Sequence, residues 1–212
     1  MMDFTVAICT YNGESRLSQV LEKLLQQTHT DEFTWEIIVI DNNSSDKTGE
    51  IVKKYQQNWH QPYPLKYYFE PQQGLAYARR LAVQKAEGEL VGFLDDDNLP
   101  NPNWVAAAFN FGQSYPQAGA YGSKITAKYE IKPPANLAEI SSFLAITERG
   151  NKPLPYNPQK WIFPAGAGLV IRQQAWLENV PKHPQLTGVC GKSLQAKGED
   201  IETLSYIIKS DW

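Results

Sequence analysis

The first half of the chain alternates short apolar runs with stretches of helical spacing, and few folds can satisfy that alternation. Phe4 to Cys9 is an apolar run that reads as a buried strand. Residues 14–28 then place Leu17, Val20, Leu21, Leu24 and Leu25 on one stripe, with polar residues opposite. Trp35 to Ile40 is a second buried strand. Ser44, Ser45 and Asp46 offer caps for a helix over about 46–58. Leu65 to Phe69 is a third strand. Gly74 opens a helix that runs through Ala86, and Gly88 is expected to end it. Leu90 to Leu94 is a fourth strand, and Asn101 and Pro102 start a further helix. Repeated β-α-β units imply an α/β fold, a single doubly wound, mostly parallel sheet flanked by helices.

Beyond residue 117 the pattern loosens. Ala118 to Glu130 reads as an extended strand and Leu137 to Glu148 as a helix. Residues 149–160, rich in proline and asparagine, read as a surface loop. Ala165 to Ile171 is glycine-rich and then strand-like. Glu199 to Ser210 reads as a last helix with Ile201, Leu204 and Ile208 on one side. No repeat or linker divides the chain. It reads as one domain over 1–212, with a nucleotide-binding half over 1–100 and a more variable half over 101–212.

Composition narrows the function classes. A net charge of −3 with no basic block argues against nucleic acid as a main partner. Two cysteines, Cys9 and Cys190, make no disulfide framework and fit a reducing, cytoplasmic setting. Residues 1–9 lack the pattern of a signal peptide. No apolar run reaches the ~18 residues of a membrane span, which leaves a peripheral membrane contact open.

Ligands of open parallel sheets bind outside the carboxyl ends of the strands. Strand one leads into Thr10, Tyr11, Asn12 and Gly13. Strand two leads into Asp41, Asn42 and Asn43, strand three into Glu70, and strand four into Asp95, Asp96 and Asp97. All these polar groups fall on one rim. A solvated acidic turn would explain one of them, not all. Three adjacent carboxylates repel one another and call for a counter-ion. Hard oxygen ligands suit Mg²⁺ or Mn²⁺, and Mg²⁺ sites combine one or two carboxylates with the phosphates of a substrate. His29, His60 and His183 match no zinc spacing. Trp104, Trp161 and Trp176 have the chemistry to stack on a sugar, although aromatic residues more often fill a core.

The same residues carry a resemblance. Val6 to Asn12, Ile40 to Asp46, Gly74 to Arg79 and Phe93 to Asp97 resemble the successive motifs of the family 2 inverting glycosyltransferases of bacterial polysaccharide biosynthesis. Gly166 to Gly168 and Gly198 to Asp200 resemble that family's acceptor-side glycines and its Glu-Asp motif. The resemblance implies a GT-A fold, a nucleotide-diphosphate sugar donor such as a UDP-sugar, a divalent metal, and a saccharide or lipid-linked acceptor. It also implies roles. Thr10, Tyr11 and Asn12 would line the nucleoside pocket. Asp41 would accept a hydrogen bond from the base, or else serve as a turn aspartate. Arg79 would face the nucleotide or its phosphates, unless it is a solvated mid-helix residue. Asp95 would contact the ribose side and Asp97 would ligate the metal. Asp96 would do either, or face solvent. Asp200 would be the catalytic base, since inversion needs a carboxylate on the acceptor side. The alternative for Glu199 and Asp200 is an acidic pair that stabilises a helix start. Gly166 and Gly168 would floor the sugar site, or simply make a tight turn.

The resemblance further implies more chain after the last helix, so the acceptor half reads as C-terminally truncated. No histidine follows Asp200 to complete a metal shell, and the QxxRW signature of processive members is absent. Ile201, Leu204, Tyr206, Ile207 and Ile208 exceed one helix face and are expected to leave an exposed patch or a contact between copies of the chain. Two other readings compete: a catalytically silent nucleotide-sugar-binding module or subunit, and a nucleotidyltransferase. The latter would place a basic residue directly after strand one, and Thr10 to Glu14 has no lysine.

Overall fold

The computed structural model describes residues 2–129, 131–134, 145–146, 150, 152–160, 162–190, 198–210 and 212. In chain order the elements are β1 (Met2–Thr10), α1 (Leu17–Leu25), β2 (Trp35–Asp41), α2 (Thr48–Gln57), β3 (Leu65–Phe69), α3 (Leu75–Lys85), β4 (Gly88–Asp95), α4 (Trp104–Ser114), β5 (Ala120–Tyr121), β6 (Val170–Arg172), α5 (Gln173–Asn179) and α6 (Glu199–Ile208). The strands form one sheet in the order β3-β2-β1-β4-β6-β5. β1 pairs in parallel with both β2 and β4, and β3 pairs in parallel with β2. β6 runs antiparallel to β4 and to β5.

Strand alternation divides the core between the two faces of the sheet. Phe4, Val6 and Ile8 of β1 point to one side. There they meet Leu17, Val20, Leu21 and Leu24 of α1, Val52 of α2, and Val105 and Ala108 of α4. Ala7 and Cys9 point to the other side, where they join Ala78, Ala82 and Val83 of α3, Ala175 and Trp176 of α5, and Leu204 and Ile207 of α6. Every residue of β2 is buried, as expected for a strand covered on both faces. The connection after β2 adds β3 on the outer side, and the next crossover returns the chain to the far side of β1. The strand order therefore reverses between β1 and β4, which is where α/β sheets bind ligands.

The second half departs from the sequence expectations in several places. The expected strand over 118–130 shortens to Ala120–Tyr121, because β6 offers only Val170 and Ile171 for it to pair with. Residues 122–129 then run as irregular, mostly exposed chain. Gly88 does not end a helix. It starts β4, and α3 stops at Lys85. Helix α5 follows β6 directly and was not foreseen. The helix expected over 137–148 lies largely outside the described residues. The loop over 149–160 contains a short 3-10 turn, Pro158–Lys160. The apolar residues of α6 are less exposed than expected. Leu204 and Ile207 are fully covered, Tyr206, Ile208 and Trp212 are partly buried, and Ile201 is 39% exposed.

Candidate functional site

Register lines the rim up. Thr10 pairs with Asp41, Cys9 with Asp95, and Asp41 with Phe69, so the ends of four parallel strands are level. Between the ends of β1 and β4 lies a cleft of about 350 Å³, lined by Cys9, Thr10, Tyr11, Arg16, Asn42, Leu75, Ala78, Asp95, Asp96, Asp97 and Val189. That volume falls at the lower end of small-molecule sites, roughly 300–1,000 Å³. Of the expected nucleotide residues, Thr10, Tyr11, Asp95 and Asp96 border the cleft, as does Asp97.

The three adjacent carboxylates have three different surroundings. Asp96 does not face solvent. It is 8% exposed, and its oxygens accept hydrogen bonds from Arg16 and from the Thr10 hydroxyl. Asp97 is exposed, and among the described residues its donor is the side-chain amide of Asn98 at 3.3 Å. Asp95 is half-buried. Burial pushes its carboxyl up from the usual carboxylate range, Arg79 opposes that, and Asp97, Asp96 and Glu199 add to it. A hard cation needs one or two oxygen ligands from the protein beside those of a phosphate. Asp97, with Asp95 beside it, fits that demand, whereas Asp96 is already committed to Arg16 and Thr10. Among the described residues no group of three or more His, Cys, Asp or Glu gathers into an all-protein metal cage.

Asp41 lies at the end of β2, 3% exposed. It accepts from the Tyr67 hydroxyl at 2.7 Å and from the Ser44 backbone N–H at 3.0 Å. The turn role expected as its alternative is therefore present. Asn12 has φ 50°, in the left-handed region, and its side chain accepts from the Ser45 N–H at 2.8 Å. Asn42 ties three segments together. Its side-chain amide donates to the carbonyls of Glu70 and Gln72, and its side-chain oxygen accepts from the Gly74 N–H at the start of α3.

Arg79 is neither solvated nor on the surface. It is 4% exposed and sits 5.4 Å over the Phe93 ring. Its guanidinium lies 3.3 Å from Glu199 and 4.0 Å from Asp95. Burial alone would lower its pKa, but Asp95, Glu199, Cys9 and Asp200 around it raise the value above the ordinary one. Gly166 makes room for this group, since a Cβ there would sit 2.5 Å from Nη2. Gly168 has φ +69° and closes the turn that leads into β6, with its N–H donating to the Phe93 carbonyl at 2.9 Å. The tight-turn reading of these glycines is thus realised. Glu199 is 8% exposed and is fastened to Arg79 and the Gly198 N–H rather than open to the cleft. Asp200 is partly exposed on the first turn of α6, and its Oδ1 accepts from the Ile201 N–H at 2.8 Å. Trp104 and Trp176 serve the core, and Trp161 lies outside the described residues.

Sequence reasoning missed Arg16 and Tyr67. Arg16 precedes α1 and carries no motif of its own, and Tyr67 reads only as part of a strand. Their partners lie 80 and 26 residues away.

A doubly wound sheet with an acid-rimmed cleft at its switch point is the build of an α/β ligand-binding domain. The sequence profile described as glycosyl transferase family 2 matches residues 5–168, and the chain belongs to that family. A curated relative, the uncharacterized glycosyltransferase alr2836 of Nostoc sp. (strain PCC 7120), is 26% identical over 191 residues, 86% of this chain and 55% of that protein. The poly(ribitol-phosphate) beta-N-acetylglucosaminyltransferase TarS of Staphylococcus aureus is 33% identical over 111 residues, 51% of this chain and 19% of that protein. The chain spans about half the length of the first of these relatives, and less of the second. Two solved structures share the GT-A fold. TarS 1–349 in complex with UDP-GlcNAc superposes with a TM-score of 0.65 at 20% identity, over 98% of this chain and 54% of that one. The mannosyltransferase PcManGT from Pyrobaculum calidifontis, in complex with GDP-Man and Mn²⁺, gives a TM-score of 0.69 at 20% identity, over 99% of this chain and 52% of that one.

Proposed function

We propose that the chain transfers a sugar from a nucleotide-diphosphate donor to a hydroxyl acceptor, with inversion, in polysaccharide or glycoconjugate assembly. The observation that carries this reading is the cleft between β1 and β4, where Thr10, Tyr11, Asp95 and Asp97 meet on one rim. Family membership supports it, as does a fold shared with structures solved with UDP-GlcNAc and with GDP-Man. In this reading Thr10 and Tyr11 border the nucleoside and Asp41 reads the base, with UDP-sugars the preferred donors. Asp95 takes the ribose side. Asp97, with Asp95, would hold a divalent cation, whose charge would offset that of the departing diphosphate. The acceptor oxygen bonds to the anomeric carbon from the face opposite the diphosphate. The bond from that carbon to the β-phosphate oxygen breaks, and the nucleotide diphosphate leaves with the electron pair. The hydroxyl proton passes to the Asp200 carboxylate. Arg79 keeps Glu199, the neighbour of Asp200, tied to the acidic turn.

Among the described residues no helix is long and apolar enough to cross a membrane. The proposed setting is cytoplasmic, with a saccharide or lipid-linked acceptor, the latter bringing the chain to the inner face of the membrane. A panel of UDP- and GDP-sugars, with saccharide acceptors and with or without Mn²⁺, tests the reading through nucleotide release. Acceptor-dependent release from a UDP-sugar is expected. Tight UDP binding without any release would favour the silent binding module instead.

A further inference from the structure

Arg16 and Asp96, both on the cleft, form a closed ion pair, and the transfer reaction gives the pair no work. Arg16 donates through Nε to Asp96 Oδ1 at 2.8 Å and through Nη2 to Oδ2 at 3.0 Å. Two parallel bonds of this kind match guanidinium to carboxylate. The Thr10 hydroxyl donates to the same Oδ2 at 2.6 Å. Both oxygens of Asp96 are thereby used, on a side chain only 10% exposed. Nη2 of Arg16 also reaches the carbonyls of Tyr11 and Asn12, at 3.4 and 3.3 Å. One guanidinium therefore spans from the acidic turn after β4 to the loop after β1.

That loop needs to be held. Asn12 sits at positive φ, which costs a non-glycine residue energy unless its surroundings enforce it. On its outer side the Asn12 N–H donates to the Ser44 hydroxyl and the Gly13 N–H to the Thr48 hydroxyl. Arg16 supplies the inner side. Gly13 packs against the pair so closely that a Cβ there would lie 2.2 Å from Thr10 Oγ1 and 2.8 Å from Asp96 Oδ2. A lysine could keep the charge, but it could not hold a carboxylate by two bonds and two carbonyls as well.

We propose that Arg16 is a positioning residue for the donor: its bidentate pair with Asp96 fixes the Tyr11–Asn12 loop in the shape that receives the nucleoside. Asp96 serves this clasp, and Asp95 and Asp97 are left for the ligand. The inference rests on the nucleotide-donor reading of the cleft. The test compares the native chain with Arg16→Lys, Asp96→Asn and the double variant. Binding of uridine is followed by ligand-observed NMR, and binding of UDP with Mn²⁺ by calorimetry. Each single variant is expected to weaken uridine and UDP by the same factor, roughly tenfold. The double variant should be no weaker than the weaker single variant, because both remove one clasp. Donor KM should rise in step while kcat holds, and melting temperatures should stay within a few degrees of native. If Arg16→Lys does not fold, Asp96→Asn carries the same comparison.

Four results would overturn the clasp while leaving the donor reading in place. UDP weakened with uridine unaffected would make Arg16 a phosphate contact. Loss of the Mn²⁺ dependence in Asp96→Asn would make Asp96 a metal ligand. Independent, multiplying effects in the double variant would uncouple the two residues, and variants that bind like the native chain would remove the role. A native chain that binds neither uridine nor UDP would overturn the donor reading together with the clasp.

Discussion

Replacing Arg79 with Met tests how the two halves of the site are joined. The methionine keeps most of the aliphatic stem but loses the guanidinium that lies 5.4 Å over the Phe93 ring, so that contact goes with the charge. What also disappears is the cation between Glu199 and Asp95. Removing one partner of a buried ion pair costs about 3–5 kcal/mol, because the other charge is left uncompensated. Glu199 is 8% exposed and, among the described residues, would keep the Gly198 N–H at 3.2 Å. The Asp95 side chain is 39% exposed, so water relieves part of its loss. The cost should therefore sit near the lower end, about 3 kcal/mol. For a chain of this size ~1 kcal/mol moves the melting temperature by roughly 2–4 °C, so a fall of roughly 6–12 °C is expected. Differential scanning fluorimetry and urea titration both read it. Adding Glu199→Gln removes the stranded charge and should recover at least ~1 kcal/mol. A fall below ~3 °C would refute the reasoning, given the conversion just used. So would a double variant that melts no higher than Arg79→Met alone.

Three further outcomes are expected. Burial pushes the Cys9 thiol up to about 12, so at pH 8 a thiol reagent should modify the partly exposed Cys190 and spare Cys9 until the chain unfolds. The folded state then holds a proton that an unfolded thiol releases near ~8.5, so stability should fall as pH rises from there to about 12. Early modification of both thiols would contradict this. Asp97→Ala should abolish Mn²⁺-dependent UDP binding with little change in melting temperature, since the side chain is exposed. Unchanged calorimetric binding would remove Asp97 as a ligand. UDP should bind better than ADP, and Asp41→Asn, which still fits between Tyr67 and Ser44, should erode that preference. Equal affinities in the native chain would contradict the base-reading role.

The strands and helices of the first half were legible because their signals are local. Phe4, Val6 and Ile8 alternate with Ala7 and Cys9, and each set finds its own helix layer. The rim was legible for the same reason, since a polar turn after an apolar strand has one place to go in a parallel sheet. Partner choice was not legible. Arg16 meets Asp96 across 80 residues and Arg79 meets Glu199 across 120, and only the topology brings them together. Arg79 shows the difficulty well. Its helical position suits a solvated residue, yet the small Gly166 opposite turns that position into a buried slot. The strand-like end of Ala165 to Ile171 shows in the sequence, but its antiparallel direction does not, because three residues carry too little period to reveal it. Gly88 was misread because glycine both caps helices and lets neighbouring backbones approach. Here it lies hydrogen-bonded through its N–H to the Thr5 hydroxyl at the start of β4.

The central claim is that Asp200 takes the acceptor proton in an inverting transfer. The measurement that tests it most directly is acceptor-dependent UDP release by native protein and by Asp200→Asn, with the anomeric configuration of the product read by NMR. Asparagine is nearly isosteric, and its side-chain oxygen can still accept from the Ile201 N–H, so UDP affinity should survive. Transfer should fall by roughly 10²- to 10⁴-fold, and the native product should carry the inverted configuration. A variant that transfers at the native rate, or a native product with retained configuration, would contradict the account.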